Sequence, residues 1–441
     1  MAGRHPETME PAYRISSFST GENMNQNRID RRDFLKTAAA GAAIGLAYKP
    51  GRVLGANDRV RLGIIGAGGR GQELIKDFLR VPNIEFVAVA DVYKRRHDEA
   101  AKLVPGIKPV IDHRRLLDMK DVDAIIVATP LHCHAHHFLD TIAAGKDLYS
   151  EKTMTWSIDE AETCREATRK SNRIITIGLQ HQSSGALADA KTWIKDGMVG
   201  KVTQVESWMS RNTPRGQGQW VRKVPPDCTA DNVDWNLFLN GRKSRPFDPY
   251  KFINWRLYWE FSGGNITENM IHQIALIMRA LDLPVPSAAY MSGGVFSEKD
   301  GREVPDTIAV TLDYPQDVVV TWQSTFSNAH YGLGERFLGT HGTIERVMGS
   351  TDMVSGKSQS GHRYYPEKAN RADGVALVGE TRDTSHMANF IECVRSRKEP
   401  NAPVEIGYRS AVAGHMANMA YRRKQRITLD EALQSARASA G

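Results

Sequence analysis

The sequence predicts an α/β domain with a doubly wound parallel sheet at residues 58–180, followed by an α+β domain with a mostly antiparallel sheet at residues 181–441. Three observations predict this fold class. The 441 residues are enough for two domains, each with its own core. Up to about residue 180, short and nearly all-apolar runs alternate with polar segments suited to helices, as in sheets buried on both faces. Beyond that point, strand-like runs alternate apolar and polar residues, as half-exposed antiparallel strands do.

The first domain is predicted from four apolar runs of strand length. They are "RVRLGII" (59–65), "IEFVAVA" (84–90), "DAIIVATP" (123–130) and "RIITIG" (173–178). Polar segments that can form helices separate them, so the pattern is a βαβ series with parallel strands.

The second domain begins with a predicted helix, "ALADAKTWIKDGMVG", that ends at a glycine. Four alternating runs predict antiparallel strands: "KVTQVESWMS", "DTIAVTLDY", "DVVVTWQSTFS" and "ERFLGTHGTIERV". An aromatic-rich insertion at residues 234–264 lies between the first two of these strands, and predicted helices end the chain.

Residues 1–57 have the composition of an export leader. Arg31 and Arg32 precede "DFLK", an apolar stretch runs from Thr37 to Ala47, and small residues near Gly55 suit a peptidase. The arginine pair resembles the twin-arginine signal, which a receptor reads as an address. We therefore expect a periplasmic or secreted protein; the alternative is an alanine-rich amphipathic first helix and a cytoplasmic protein. No run of 18 apolar residues is present, so no stable membrane anchor is expected.

The charge and the cysteines argue against two classes of site. The formal net charge of +7 falls to about +4 without residues 1–56, and no basic run is interleaved with aromatic residues, so nucleic-acid binding is not expected. The cysteines lack the close spacing of a zinc site, although one pair could form a disulfide in an oxidising compartment. They are Cys133, Cys164, Cys228 and Cys393.

A glycine-rich loop directly follows the first predicted strand and precedes a helix. Its sequence, "GAGGRG", has the G-x-G-x-x-G spacing of dinucleotide-binding loops. Gly66 allows the tight turn, Gly68 lets the backbone approach a pyrophosphate, and Gly71 lets the helix pack closely. The candidate cofactor-binding residues of this loop are Gly66, Ala67, Gly68, Gly69, Arg70 and Gly71.

Asp91 stands twenty residues beyond Gly71, at the end of the second predicted strand. A carboxylate there accepts hydrogen bonds from the adenosine ribose hydroxyls and repels a 2′-phosphate, which favours NAD over NADP. Lys94, Arg95 and Arg96 follow closely, so NADP stays an alternative.

Two further positions offer acid–base chemistry. Glu151 and Lys152 stand at the carboxyl end of a predicted strand, where ligands bind in doubly wound sheets and a lysine can hydrogen-bond a hydroxyl. Glu268 and His272 are four residues apart and thus on one face of a predicted helix, where the histidine can take a hydroxyl proton at neutral pH. The alternatives are an exposed lysine and a histidine of the core.

Six segments occur in a specific order and spacing between Arg59 and about Arg423. They are "GIIGAGGRG", "VATPLHCHAHHFLDTIAAGKDLYSEKTMTW", "GMVGKV", "GGNITENMIHQI", "GTHGTIE" and "EIGYRSAVAGHMAN". Together they resemble the Gfo/Idh/MocA family, which includes glucose-fructose oxidoreductase and inositol dehydrogenase. The resemblance implies an NAD(P)-dependent oxidoreductase with a Rossmann domain and an open-faced antiparallel sheet that lines the substrate cleft. In this family the sheet often mediates oligomerisation, so a homo-oligomer is expected.

The resemblance also implies roles for individual residues. Lys152 and His272 match the family's catalytic lysine and histidine, and Glu268 stands in the place of its usual aspartate. The loop beside the nicotinamide is matched by Thr129, Pro130 and His134. Thr153 departs from the family pattern, which has proline after the lysine. "LQHQSS" (179–184) departs from the family's aromatic and arginine positions, and its Gln180 and His181 are candidates for substrate contact.

Two other groups have a functional and a structural interpretation. The insertion combines flat aromatic faces with a hydrogen-bond donor in Trp255, Arg256 and Tyr258, which suits a sugar as well as an aromatic core. In "HCHAHH" (132–137), His132 and His136 have the i, i+4 spacing of helical metal ligands. The resemblance assigns this run to the cofactor loop instead, so no metal is expected.

Outside the cytoplasm no pool of free NAD is maintained, so an exported enzyme of this family should keep its cofactor bound and reset it within the cycle. One interpretation is a dehydrogenase of a sugar, sugar derivative or glycoside, with a second carbonyl compound reoxidising the cofactor. Another is a redox-neutral glycoside hydrolase or lyase that oxidises a ring carbon, commonly C3, and eliminates a substituent. A sugar-binding protein without catalysis is a third.

Overall fold

The computed structural model describes residues 59–213, 218–330, 332–351, 358–367 and 374–440. The predicted leader at residues 1–57 lies outside these residues.

Six parallel strands form the first sheet. They are β1 (Val60–Ile65), β2 (Ile84–Ala90), β3 (Lys108–Val110), β4 (Ala124–Val127), β5 (Asp147–Ser150) and β6 (Ile175–Ile177). Their order, β3-β2-β1-β4-β5-β6, places two βαβαβ halves side by side at β1 and β4, as in dinucleotide-binding sheets. The predicted doubly wound parallel sheet is therefore confirmed.

Helices connect these strands. They are α1 (Gly69–Phe78), α2 (Lys94–Leu103), α3 (His113–Leu117), α4 (His134–Ala143) and α5 (Ile158–Lys170). The first of them buries Leu74, Ile75 and Phe78 on one face, and the ring of Phe78 meets that of Tyr149 on β5 at a centroid distance of 5.4 Å. This packing holds the start of α1 at the carboxyl edge of the sheet.

Nine strands form the second sheet. They are β7 (Val202–Met209), β8 (Ala288–Gly294), β9 (Thr307–Tyr314), β10 (Val318–Thr325), β11 (Leu333–Gly339), β12 (Gly342–Thr351), β13 (Ser358–Pro366), β14 (Val375–Leu377) and β15 (Ile427–Thr428). Their order is β14-β13-β12-β11-β7-β10-β9-β8-β15, and neighbours are antiparallel except β7 and β10. Ile308, Val310 and Leu312 alternate with less buried residues along β9, so one face of the sheet packs on the core. The predicted mostly antiparallel α+β domain is confirmed.

Seven helices in the described part of the chain belong to residues 181–441. They are α6 (Gly185–Lys195), α7 (Trp235–Leu239), α8 (Pro249–Ile253), α9 (Ile271–Ala280), α10 (His386–Ser396), α11 (Val404–Arg423) and α12 (Leu429–Ala440). A π-helical turn, Ile266–Met270, leads directly into α9. Although α10 follows the second sheet in sequence, its Phe390 packs against Phe78 and Tyr149 of the first domain, with ring centroids 6.2 and 5.9 Å apart. The chain thus returns to the first domain near its end.

The aromatic insertion has its own apolar cluster. Trp235, Phe238, Phe252 and Phe261 pack together there, and Tyr93 of the first domain belongs to the same cluster. The insertion is therefore anchored on the connection between β2 and α2.

The four cysteines are buried free thiols, so the pairing that the sequence left open does not form in this structure. Among the described residues, no helix has both the length and the apolar character needed to cross a bilayer.

Candidate active site

A cleft of about 650 Å³ opens at the carboxyl edge of the first sheet. Its walls come from the glycine loop, from the π-helical turn before α9, and from the aromatic insertion. Most of the predicted site residues line it: Gly66, Gly68, Gly69, Arg70, Asp91, Thr129, Pro130, His134, Glu151, Lys152, Gln180, Trp255, Arg256, Glu268 and His272. The cleft thus brings predicted cofactor residues and predicted catalytic residues of both domains together.

Four predicted residues do not line the cleft. Ala67 and Gly71 lie behind the glycine loop, where the Ala67 N–H donates to Asp91 Oδ2 at 2.7 Å. His181 stands behind His272, with ring centroids 5.5 Å apart. Tyr258 is buried in the aromatic cluster of the insertion, which matches the core interpretation of this residue. Tyr258 turns inward because the insertion forms an apolar cluster of its own.

Of the three glycines of the G-x-G-x-x-G spacing, one leaves room for a ligand. Gly66 has a φ of +90°, and a Cβ there would lie 2.8 Å from the Ala128 backbone. A Cβ at Gly71 would lie 2.1 Å from the Gly66 carbonyl oxygen. A Cβ at Gly68, in contrast, would meet no protein atom within 4 Å. The open backbone at Gly68, beside the first N–H groups of α1, fits the pyrophosphate of a dinucleotide.

Asp91 is held by main-chain donors beside this loop. Its Oδ2 accepts from Ala67 and its Oδ1 accepts from the Tyr93 N–H at 2.9 Å. Burial raises the pKa of Asp91, and these two hydrogen bonds offset part of that rise. The carboxylate oxygens still have acceptor capacity for a ribose hydroxyl.

The basic residues after Asp91 bind protein groups. The Lys94 amine donates to the Asp231 carbonyl at 2.7 Å, and Arg95 pairs with Asp227 at 2.9 Å. Arg96 lines the cleft and pairs with Glu99. Two of the three cations that left NADP open therefore bind residues just before the insertion, Asp227 and Asp231.

Lys152 connects the two domains at the centre of the cleft. Its Nζ donates to the main-chain carbonyl of Glu268 at 2.8 Å and lies 3.7 Å from Glu268 Oε2. The peptide bond between Lys152 and Thr153 is cis. The Thr153 hydroxyl donates to the Thr267 carbonyl at 2.8 Å, and His134 Nδ1 lies 2.7 Å from the Thr153 carbonyl. Hydrogen bonds from both domains thus hold the loop where the family pattern has proline.

Glu268 and His272, which the sequence places on one helical face, form no hydrogen bond with each other in the described structure. Instead, Glu268 Oε2 accepts from Arg256 Nε at 3.0 Å and faces Lys152. Burial by itself would raise the pKa of Glu268, but the charges of Arg256 and Lys152 outweigh it and hold the pKa below its usual value. Two cations attract this carboxylate more strongly than an uncharged imidazole does.

His272 stays partly buried beside the cleft without a hydrogen-bond partner for its Nδ1 among the described residues. Burial lowers the pKa of His272 well below the usual value for histidine, and the positive charge of Lys152 lowers it further. The neutral imidazole that results can accept a proton.

Glu151 is buried and organises a second network. Its Oε1 accepts from Arg70 Nε at 2.8 Å and from the Gln180 amide at 3.3 Å, and the same amide donates to the Tyr149 hydroxyl at 3.0 Å. Gln180 therefore reaches the cleft from the segment that departs from the family pattern.

Sequence reasoning missed two arginines of the cleft, Arg211 and Arg222. Arg222 precedes the insertion in sequence, and its guanidinium lies 3.3 Å from the point where a Cβ of Gly69 would be. Neither arginine forms an ion pair with a described residue, and burial lowers the pKa of both guanidinium groups. No sequence motif surrounds either residue. Only the fold shows that Arg222 faces the glycine loop and that Arg211 lies on the Glu268 side of the cleft.

The predicted helical pairing of His132 and His136 does not form. His132 lies in a 3₁₀ turn before α4, where its Nε2 is 2.7 Å from the Phe238 carbonyl of the insertion. The turn directs His132 inward, whereas His136 is exposed on α4. The two residues lie on different elements, so their spacing in sequence is not that of one helical face.

Two family models match the chain. Residues 60–179 match the NAD-binding Rossmann fold of the Gfo/Idh/MocA oxidoreductase family, and residues 239–429 match its C-terminal alpha/beta domain. Together the two matches cover well over half of the chain.

Among curated proteins, the chain is similar to the scyllo-inositol 2-dehydrogenase (NAD(+)) of Bacillus subtilis, with 29% identity over 42% of this chain and 54% of that protein. It is also similar to a glycosyl hydrolase family 109 protein of Saccharopolyspora erythraea, with 31% identity over 35% of this chain and 39% of that protein. The matched region spans about half the length of these relatives or less.

Solved structures share the fold. The WlbA dehydrogenase from Bordetella pertussis, in complex with NADH and UDP-GlcNAcA, has a TM-score of 0.63 at 18% identity and covers 84% of this chain and 99% of its own. The aldose-aldose oxidoreductase from Caulobacter crescentus, complexed with glycerol, has a TM-score of 0.63 at 17% identity and covers 84% of this chain and 100% of its own. With both family models matched in order, the chain belongs to the Gfo/Idh/MocA oxidoreductase family, and its first domain is that family's NAD-binding domain.

Proposed function

We propose that this protein oxidises a hydroxyl of a sugar, sugar derivative or glycoside with NAD as a tightly held cofactor. The observation that carries the proposal is that Lys152 and His272, from different domains, line one cleft with the glycine loop. Bound NAD supplies a hydride acceptor and, in a redox-neutral cycle, returns the hydride.

The chain's own residues supply the proton chemistry. His272 is held neutral and accepts the proton of the substrate hydroxyl. Lys152 donates a hydrogen bond to the same oxygen and stabilises the negative charge that develops there. Glu268 acts on Lys152 and Arg256 rather than on His272, so its role is to position those cations.

The cofactor is NAD rather than NADP, and it exchanges slowly. Asp91 supports the first inference, because its carboxylate lines the cleft while Lys94 and Arg95 bind Asp231 and Asp227. The segment from Asn232 to Phe238 supports the second inference, because it contacts the first domain at two separate places. The Lys94 N–H donates to Asn232 at 3.0 Å on one side, and His132 meets Phe238 on the other.

The substrate end of the cleft suits a polyhydroxylated ring. Trp255 presents an aromatic face there, and the Arg256 guanidinium lies 4.2 Å from its ring centroid. Gln180 and Arg211 add donors. His181 is assigned to holding the His272 ring rather than to substrate contact.

A second candidate function is redox-neutral cleavage of a glycoside. The similarity to glycosyl hydrolase family 109 proteins favours it, and so does a cofactor that does not leave. Oxidation at C3 makes the C2–H acidic, so the substituent at C1 can leave as its alcohol. Addition of water and reduction at C3 then complete a net hydrolysis with no change in cofactor oxidation state.

Nucleotide release followed by a substrate panel tests both candidates. The purified protein is denatured, and about one NAD per chain is expected in the supernatant. With sugars and glycosides, bound NADH that accumulates only in the absence of a carbonyl acceptor indicates the dehydrogenase. Release of free sugar without net NADH indicates glycoside cleavage. If NAD is tightly bound but neither reaction is observed, the catalytic proposal is refuted and a sugar-binding protein remains.

Export by the twin-arginine route is part of the proposal, since a retained cofactor suits a protein that leaves the cytoplasm folded. Replacing Arg31 and Arg32 by lysine is expected to keep the protein in the cytoplasm, as measured by cell fractionation. Arg28→Lys, outside the pair, is the control and should be exported. Equal export of all three forms would contradict the signal.

A homo-oligomer formed through the second sheet is also proposed. Tyr290 on β8 is 47% exposed and Val319 on β10 is 38% exposed, so this sheet presents apolar side chains to solvent. Light scattering on the purified protein should give a mass above the 49.1 kDa of one chain.

A further inference from the structure

Three metal-ligating side chains meet outside the cleft, on α3 and α4. They are His113, His136 and Asp140, and their ligand atoms all lie within 4.8 Å of one another. His113 Nε2 is 2.8 Å from Asp140 Oδ2, and His136 Nε2 is 3.4 Å from the same oxygen. None of the three belongs to the cofactor or substrate residues discussed above.

These distances suit a four-coordinate metal ion. In a tetrahedral site with zinc–ligand distances of 2.0–2.2 Å, donor atoms lie about 3.4 Å apart. Two of the donor–donor distances here are 2.8 and 3.4 Å, and the third is within 4.8 Å. The donors come from two elements, so the backbone rather than one flexible side chain sets the arrangement. Two histidines and one carboxylate are a donor set that zinc uses with water as the fourth ligand.

The surroundings also resemble those of a metal site. Asp112 Oδ1 lies 3.7 Å from His113 Nδ1, which puts a carboxylate behind the ring nitrogen that would not bind the ion. Asp112 is itself held by Arg114 and by its role as N-cap of α3. The ring of His137 lies 4.4 Å from the ring of His113 and forms one wall.

We propose that His113, His136 and Asp140 bind one first-row transition-metal ion of the Zn²⁺ type, with water completing the coordination. The ion would tie α3 to α4. His137 on α4 has its Nδ1 3.2 Å from the hydroxyl of Thr129, a cleft residue, so the site stands behind the loop that the resemblance assigns to the nicotinamide. Its role is structural and does not depend on the proposed reaction.

The test is metal binding by the full chain without an affinity tag. Metal-free protein is titrated with Zn²⁺ and with Co²⁺, and bound metal is measured by mass spectrometry after gel filtration. About one ion per chain is expected, with the visible absorption of a tetrahedral Co²⁺ complex. His136→Ala and Asp140→Ala should abolish this binding, whereas the exposed His341→Ala should not change it.

The conservative variant Asp112→Asn keeps the N-cap and should weaken Zn²⁺ binding by about tenfold. Because the His136 side chain is 49% exposed, His136→Ala should keep the fold, which circular dichroism checks. Failure of the wild type to bind either ion, or equal binding by His136→Ala, would overturn the proposal. These readouts involve no turnover, so they are independent of the proposed function.

Discussion

The amine of Lys152 donates a hydrogen bond to the main-chain carbonyl of Glu268, 2.8 Å away, and so joins the segment that follows β5 to the π-helical turn of the second domain. Glu268 lies in this π turn, and π turns are rare and often found at functional sites. The position of the amine is thereby set by backbone atoms on both sides of the cleft. Any change at Lys152 therefore affects chemistry and domain contact together.

Loss of the Lys152 amine should remove stabilisation of the substrate oxygen. For Lys152→Ala we expect turnover to fall by about 10²- to 10³-fold with a smaller change in KM, because the interaction strengthens as charge develops. Steady-state kinetics on the substrate found in the panel measures this, and Lys170→Ala, whose side chain is 74% exposed, is the control. Full turnover by Lys152→Ala would contradict the assigned role.

The pH dependence of the reaction should reflect the neutral state of His272. Its pKa in the folded protein lies well below the ordinary value, so the imidazole stays unprotonated as the pH falls through 6.5. The acid limb of kcat/KM is therefore expected below pH 6.5, and activity at pH 6 should equal activity at pH 7.5. A profile that loses half its activity at or above pH 6.5 would contradict this assignment.

The lowered pKa of His272 also predicts how the stability of the fold depends on pH. Below about pH 6.5 the unfolded imidazole binds a proton that the folded one does not bind, so the free energy of unfolding decreases as the pH falls. In His272→Asn this contribution disappears, and the decrease between pH 7 and pH 5 should be smaller than in the wild type. Denaturant titrations of both proteins at the two pH values measure this change in unfolding free energy. The contributions of other buried histidines are the same in both proteins and cancel in the comparison.

Glu268 should stabilise the fold through its two cations. Its side chain and that of Lys152 are both 12% exposed, and Glu268→Gln leaves Lys152 and Arg256 without an anion. Removing one partner of a buried charge pair costs about 3 kcal/mol of unfolding free energy. Glu260→Gln breaks a more exposed pair with Arg245 and should cost less than about 1 kcal/mol. Equal losses in the two variants would contradict the buried network.

The parts of the site that the sequence predicts are those fixed by local rules. The loop at Gly66 and Gly68, with Asp91 at the next strand end, depends on one βαβ unit, and its spacing is visible in the chain. Lys152 follows a strand of the parallel sheet, and ligands bind at the carboxyl ends of the strands in such sheets.

The parts that the sequence does not predict depend on where the insertion lies. Arg256 reaches Glu268 from twelve residues away and takes the carboxylate that spacing alone assigned to His272. Tyr258, two residues further on, turns into the core instead of the cleft. The sequence has no periodic pattern that predicts either contact, because both residues belong to an irregular segment that folds back on the cleft. Arg256 of this segment binds the Glu268 carboxylate that one helical face would otherwise share with His272.

Arg222 provides the sharpest test of cofactor retention. Its guanidinium lies over Gly69 and has no ion-pair partner among the described residues, so a pyrophosphate is the natural partner. A hydrogen bond between charged groups contributes about 1.5–3 kcal/mol, which corresponds to about a tenfold to hundredfold change in affinity. Arg222→Ala should therefore lose NAD at least about tenfold faster in a competition experiment with labelled NAD.

Arg211→Ala should keep the wild-type exchange rate and raise KM instead, since Arg211 stands on the Glu268 side. If both variants release NAD at the wild-type rate, Arg222 does not retain the cofactor, and other residues of the cleft must do so.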